Sequence, residues 1–282
     1  MESLQGFQTL RDFFARQQSE LGIECLKVKT IHGSMLCGVA LKNNKEVLVV
    51  CTTEVGGVLS SQMLTLSGSG NVGSWGLVTM AGDSASSFQV FVIEGCASGV
   101  WHKVSMYDSR RQAWLKLCQL PESMWSYLPL LPRLPSVVLG EFLYILLLPL
   151  DGVERTCFTI AALDYNGNEW SEFHVITPRA FSRLRLVKVE EHLLLVGIRE
   201  GRFVDRYFII HATMSTAKTK CVEICEMPEE FATALVDSNA KVKSSAVVCG
   251  HGDSVFFMTS TKKPVAYSTS RNAWNFVFQT IV

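Results

Sequence analysis

Tyr107-Asp108-Ser109-Arg110-Arg111-Gln112-Ala113-Trp114 decides how the rest of the chain is read. An apolar residue closes one strand, Asp and other turn formers follow, and a Trp seven positions on opens the next strand. That is a hairpin with an aromatic anchor. The phrase returns as Leu163-Asp164-Tyr165-Asn166-Gly167-Asn168-Glu169-Trp170 and as Tyr267-Ser268-Thr269-Ser270-Arg271-Asn272-Ala273-Trp274. Trp170 lies 56 positions after Trp114, and Trp274 lies 104 after Trp170, so a weaker copy belongs midway between the last two. Lys220-Cys221-Val222-Glu223-Ile224 fills that place, with Cys221 where the ring is expected. Pro121, Pro178 and Pro228 follow Trp114, Trp170 and Cys221 by seven or eight residues and repeat the same period. Strand-rich units of about 50 residues are those of a β-propeller, kelch-like in length.

Working outward, apolar runs separated by Gly, Asn, Asp, Ser or Pro continue from about Ile23 to the end of the chain. They group into well-marked units at residues 74–121, 134–178, 182–228 and 243–282, with a less regular one at 31–66. A ring needs a whole number of blades, because an open end would leave an apolar face wet. The expectation is an all-β, kelch-like β-propeller of five to six blades over residues 23–282, with the stretch Ile23 to Lys29 available to close or begin a sixth. Residues 1–22 read differently. Phe7, Leu10, Phe13 and Phe14 stand at helical spacing among Arg11, Asp12, Arg16 and Gln17, which predicts a short amphipathic N-terminal helix.

Each Trp is expected to bury its ring between adjacent blades and to reach a neighbouring carbonyl with its indole N–H. Asp108 and Asp164 are expected to accept backbone amides two residues on and so fix their turns. Tyr107, Asp108, Trp114, Asp164, Trp170, Tyr267 and Trp274 are thus structural anchors of the repeat.

Composition narrows the function. Lys and Arg total 26, as do Asp and Glu, so no net field draws the chain to phosphates, and nucleic acid is not the expected ligand. The nine cysteines show no CxxC spacing, which fits free thiols in a reducing compartment. Cys221 and Cys225 are the nearest pair. Four positions apart on a regular strand they share one face, and they read as small core residues rather than half a zinc site. Phe142 to Leu150 is apolar but too short to span a bilayer, so no membrane partner is expected. The chain reads as cytoplasmic or nuclear.

Candidate chemistry is sparse. Gly68-Ser69-Gly70-Asn71-Val72-Gly73 matches a dinucleotide pattern, but a strand rather than a helix follows it, and an inter-blade loop is the reading. His251, in Gly250-His251-Gly252-Asp253, sits where a β-turn is expected, with Gly supplying a positive φ and Asp253 capping the bend. Glu190-Glu191 reads as a corner between strands. No catalytic, metal or cofactor residue is assigned. Trp125 and Tyr127, with Leu128, Leu130, Leu131 and Leu134 and three interleaved prolines, lie between two units. Such loops carry binding while blades carry rigidity, so Trp125 and Tyr127 are the candidate partner-binding residues.

Several phrases in order resemble the kelch-like propeller region of plant F-box proteins. They are Val49-Val50-Cys51-Thr52-Thr53, Val104-Ser105-Met106-Tyr107 leading into Asp108, His192-Leu193-Leu194-Leu195-Val196-Gly197, Met227-Pro228-Glu229-Glu230-Phe231 and Cys249-Gly250-His251-Gly252-Asp253. The resemblance covers roughly residues 33 to 280. It implies a propeller that presents a surface to a protein substrate of an SCF-type ubiquitin ligase. In that family an N-terminal F-box with a Leu-Pro start binds the ligase adaptor, whereas the first proline here is Pro121, so the adaptor-binding element is not evident. A non-catalytic protein-binding propeller is the leading expectation. A propeller enzyme, an oxidase or glycosidase with a site at the central channel, is the alternative.

Overall fold

Twenty strands are present in the computed structural model, which describes residues 25–32, 35–42, 45–53, 59–64, 75–84, 87–94, 103–147, 155–201, 204–213, 219–236, 246–259 and 264–277. They come in fours, each four an antiparallel meander in chain order. Blade 1 is β1 (Cys25–His32), β2 (Met35–Lys42), β3 (Lys45–Thr53) and β4 (Leu59–Leu64). Blade 2 is β5 (Trp75–Ser84), β6 (Ser87–Glu94), β7 (Lys103–Asp108) and β8 (Ala113–Gln119). Blade 3 is β9 (Ser136–Leu139), β10 (Phe142–Leu147), β11 (Arg155–Asp164) and β12 (Glu169–Phe181). Blade 4 is β13 (Arg183–Val189), β14 (His192–Arg199), β15 (Arg206–Thr213) and β16 (Thr219–Glu226). Blade 5 is β17 (Val247–His251), β18 (Ser254–Met258), β19 (Val265–Ser268) and β20 (Ala273–Phe276). The chain is all-β and carries the five blades of a β-propeller.

Of the expected five to six blades, five are present. The stretch read as a spare strand for a sixth blade is the body of β1, which pairs with β2 from Cys25↔Leu41 to His32↔Met35 and completes blade 1. The N-terminal helical segment and the Gly-rich run at 68–73 lie outside the described residues.

The chain divides into two compact units, Met1–Arg133 with blades 1 and 2 and Leu134–Val282 with blades 3 to 5. Within the first, Cys37, Val39, Leu48 and Val50 of blade 1 pack on Val78, Met80, Val90 and Val92 of blade 2. Within the second, Phe158, Ile160 and Val175 of blade 3 meet Leu184, Leu195, Phe208 and Ile210 of blade 4. The other face of blade 4, with Val196, Ile198 and Ile209, meets Val255, Phe257 and Val265 of blade 5. Blade 4 is covered on both faces, which is why β14 reads His-Leu-Leu-Leu-Val-Gly-Ile-Arg and does not alternate. Each fully buried Val, Leu or Phe here contributes about 2 kcal/mol.

Among the described residues two helical pieces lie in the linkers between blades. A 3-10 segment, Glu122–Arg133, follows β8, and α1, Glu229–Ala234, follows β16. Pro228 stands at the N-cap of α1 with φ −57°, and its carbonyl accepts the amides of Phe231 and Ala232 at 3.1 and 3.2 Å. Glu229 and Glu230 sit in the first turn, where their charge suits the positive end of the helix. Phe231 packs on Phe276, with ring centroids 4.6 Å apart.

Candidate interaction surface

The repeat phrase places its anchors in equivalent positions. Tyr107 pairs with Trp114, Leu163 with Trp170 and Tyr267 with Trp274, each Trp opposite the penultimate residue of the third strand of its blade. Ala212 pairs with Cys221 in the same way, so Cys221 is the fourth copy. In the two Tyr–Trp pairs the ring centroids are 5.4 and 5.0 Å apart. Trp114 packs on the core between blades 1 and 2, Cys221 on that between blades 3 and 4, and Trp274 on that between blades 4 and 5. In these three copies the anchor turns towards the preceding blade. One expectation fails at Trp274, whose Nε1 is buried without meeting a carbonyl. The Cys225 thiol of blade 4 lies there instead. Its pKa is raised by burial, although Tyr267 and Trp274 donate towards it.

Cys221 is small for a reason visible beside it. The outer strands β12 and β16 pair in parallel through Val175↔Thr219 and Ile176↔Lys220, joining blades 3 and 4 into one eight-stranded sheet. A Trp at Cys221 would occupy the space that lets β12 come within hydrogen-bonding distance. Arg179 closes the same junction, with Nε 2.8 Å from Glu223 Oε2 and its guanidinium 4.7 Å above the Phe208 ring. β12 reaches past the expected end at Ile176 because Thr177 to Ala180 bulge out of the ladder between Cys157↔Ile176 and Arg155↔Phe181. Pro178, lacking an N–H, sits in that bulge at no cost in ladder hydrogen bonds. A second bulge, between Ile209 and Ile210 of β15 and the facing β16, corrects the expectation that Cys221 and Cys225 share a face. The extra residue reverses the alternation. Cys221 therefore packs towards blade 3 and Cys225 towards blade 5.

The blades have a tight end and a wide end. At the tight end the first two strands join through two-residue turns, among them Gly140-Glu141, Glu190-Glu191 and Gly252-Asp253. The first residue of each has positive φ, at 57°, 49° and 56°. The anchor turns lie at this end too. Asp108 Oδ1 accepts the Arg110 amide at 2.9 Å, and Asp164 Oδ1 accepts those of Asn166 and Gly167 at 2.9 and 3.0 Å. The two sets of turns are tied together, because Ser109, Tyr165 and Thr269 donate their amides to the carbonyls of Phe88, Glu141 and Asp253. In blade 5, where Ser268 replaces the turn aspartate, the carboxylate of Asp253 accepts the hydroxyls of Ser254, Ser268 and Ser270. Ser270 first, then Ser254 and Ser268, hold its pKa down at about 2. His251 closes β17 and stands exposed beside this turn.

At the wide end the described residues include the 3-10 segment and α1, carried by the linkers after β8 and β16. Leu120 and Met124 are buried and hold the 3-10 segment down. Trp125 stands 49% exposed, its Nε1 donating to the Leu120 carbonyl at 3.4 Å. Tyr127 is half-buried. Trp125 and Tyr127 both lie on the 3-10 segment. Leu134 belongs to the core. On blade 4 the same end carries an ion-pair group, with Arg183 Nη2 3.1 Å from Glu200 Oε1 and 3.4 Å from Asp205 Oδ2.

One exposed strip has no signal in the sequence. Ile176 lies on the same face as Val222, across the parallel junction, and they are 67% and 51% exposed. Burial pushes the thiols of Cys51 up to about 12 and those of Cys221 and Cys249 up to about 11, so they stay protonated at neutral pH. Among the described residues no three His, Cys, Asp or Glu side chains gather as a metal site, and no helix is long and apolar enough to cross a membrane.

No protein-family model and no curated protein matches the chain. Solved structures do. One is YjhT, with a TM-score of 0.50 at 10% identity over 90% of this chain and 83% of that one. Another is the β-propeller domain of the Trilobed protease from Pyrococcus furiosus, with a TM-score of 0.47 at 9% identity over 92% of this chain and 72% of that one. At such identity the likeness to YjhT concerns the fold alone.

Proposed function

We propose that this chain is a non-catalytic, kelch-like propeller that captures a protein partner at the wide end of its blades, in the manner of the substrate-recognition region of SCF-type ubiquitin ligases. The observation that carries the reading is Trp125, a large ring left half in water on a segment pinned by Leu120 and Met124. A rigid exposed Trp loses little entropy on binding and supplies the kind of anchor on which interface affinity concentrates. The kelch-like assignment is supported by the four-residue turn and outer-strand anchor of blades 2, 3 and 5. It is supported too by the phrases that resemble the plant F-box family. The carboxylate of Asp253 is engaged within its turn by three serine hydroxyls. The partner is a cytoplasmic or nuclear protein, and neither nucleic acid nor a membrane enters the reading.

Proximity labelling in plant cells with the wild-type chain and Trp125→Ala tests this. A set of proteins labelled by the wild type and lost in the variant is the expected result. Identical labelling by both, with the variant folded, removes the proposal. The ligase adaptor serves as a separate bait, because its direct capture by this chain would place ligase assembly on the blades themselves.

A further inference from the structure

Arg185 is an arginine of the second unit with no carboxylate partner among the described residues. It lies on β13, the first strand of blade 4, half-buried, and its hydrogen bonding among the described residues is one long contact from Nη1 to the Leu184 carbonyl, at 3.4 Å. A guanidinium has five N–H donors and stays charged in any protein setting, so partial burial without an anion costs free energy. Arg183, two positions away and on the same face of the strand, has its carboxylates in Glu200 and Asp205. Burial and the Arg183 charge both weaken the hold of Arg185 on its proton.

The surroundings extend the imbalance. β9 and β17 lie against β13, and the three strands carry Arg183, Arg185, Lys188 and His251 but no carboxylate. With Glu200 and Asp205 engaged by Arg183, the Arg185 charge is left without an acid among the described residues. Nothing in the packing requires it. Leu184 and Leu186 bury the opposite face of β13, and Val187 and Val189 fill the core towards blade 5.

We propose that Arg185 is the anchor of an oxyanion-binding site on the first strand of blade 4, taking a phosphate or carboxylate group through its unused N–H fork. Planar two-point pairing with such a group is what a guanidinium does better than an ammonium. Arg183 lends a second, partly shared charge, and Gly250 lets β17 come close against Lys188 and Val187, leaving the wall firm. The site is independent of Trp125, and its failure leaves the partner-binding reading untouched.

Calorimetric titration of the full chain at low salt with inorganic pyrophosphate, and separately with a hexaglutamate peptide, tests the site. Binding is expected for at least one probe. Pyrophosphate alone points to a free phosphate-bearing ligand, and the peptide alone to an acidic segment. Arg185→Gln should weaken the bound probe by about tenfold to a hundredfold, as expected for loss of charge-assisted hydrogen bonds. Arg185→Lys should recover only part of that loss, and Arg110→Gln, on an exposed turn of blade 2, should change nothing. Arg185→Gln should also melt no lower than wild type, because it removes an unpaired charge. Binding of neither probe overturns the proposal. Equal binding by wild type and Arg185→Gln overturns it too, as does a melting temperature that falls in the variant while binding persists.

Discussion

Trp274 and Trp125 are the same residue type at opposite ends of the blade, and they have opposite fates. Trp274 follows a closed turn and is packed among Tyr267, Phe257 and Phe231. Trp125 follows an open linker and keeps half its surface in water. The tight end consumes its polar groups in short turns that hydrogen-bond to one another, and its rings in the seams between blades. At the wide end the 3-10 segment Glu122–Arg133 buries Met124 and leaves Trp125 in water. That exposed ring is what the proposed partner binding rests on.

Truncating the two rings is the strongest way to break the comparison. Trp274→Ala should cost about 3 kcal/mol in urea unfolding, whereas Trp125→Ala should change stability by less than about 0.5 kcal/mol and act on partner capture. Equal losses for the two would mean that the ends do not differ. Gly250→Ala comes next. Its Cβ would collide with the Lys188 carbonyl oxygen and stand 2.8 Å from Val187 Cγ1, so a loss of about 2 kcal/mol is expected for overpacking where β17 meets β13. Thermal melting that matches wild type would show that the close approach of β17 to β13 is dispensable.

Acid sensitivity sharpens the view of the tight end. Asp253 has its pKa lowered from 3.8 to about 2 by the three serines. Depression means that the folded state holds the charged form more firmly than the unfolded state does. The contribution is complete above about pH 4 and is lost as pH falls towards 2. Unfolding curves of wild type and Asp253→Asn should therefore differ at neutral pH and converge near pH 2, and a constant gap would contradict the serine clasp. The smallest effect expected is a gain. Glu190 holds a φ of 49° at the head of its two-residue turn, where L side chains are strained, so Glu190→Gly should stabilise by about 0.5 kcal/mol. A loss in the same melting assay would assign the Glu190 side chain a contact that outweighs the strain.

How much of this could be read in advance follows the range of the interaction. The boundaries of the units were legible because a turn is decided by neighbours a few positions apart. Asp108 and Asp164 reach amides two residues on, and Gly252 supplies its own dihedral. Residues 31–66 were legible only in part, since β1 has no anchor phrase and is recognised as part of blade 1 by its pairing with β2. The 3-10 segment and α1 read as irregular linkers because Pro129, Pro132 and Pro228 mask short helical pieces.

The sequence by itself determined the repeat, its turns and the positions of its anchors, all set by hydrogen bonds and periodicity within a single hairpin. The tertiary structure alone decided which way those positions face. One added residue in a ladder sends Cys221 and Cys225 to different cores. A parallel pairing of two outer strands explains why one anchor is a cysteine. Arg185 is an ordinary strand residue in the sequence, and it lacks an anion only because of what packs around β13. Burial and charge pairing depend on the segment laid against a face, and that segment lies tens of residues away along the chain.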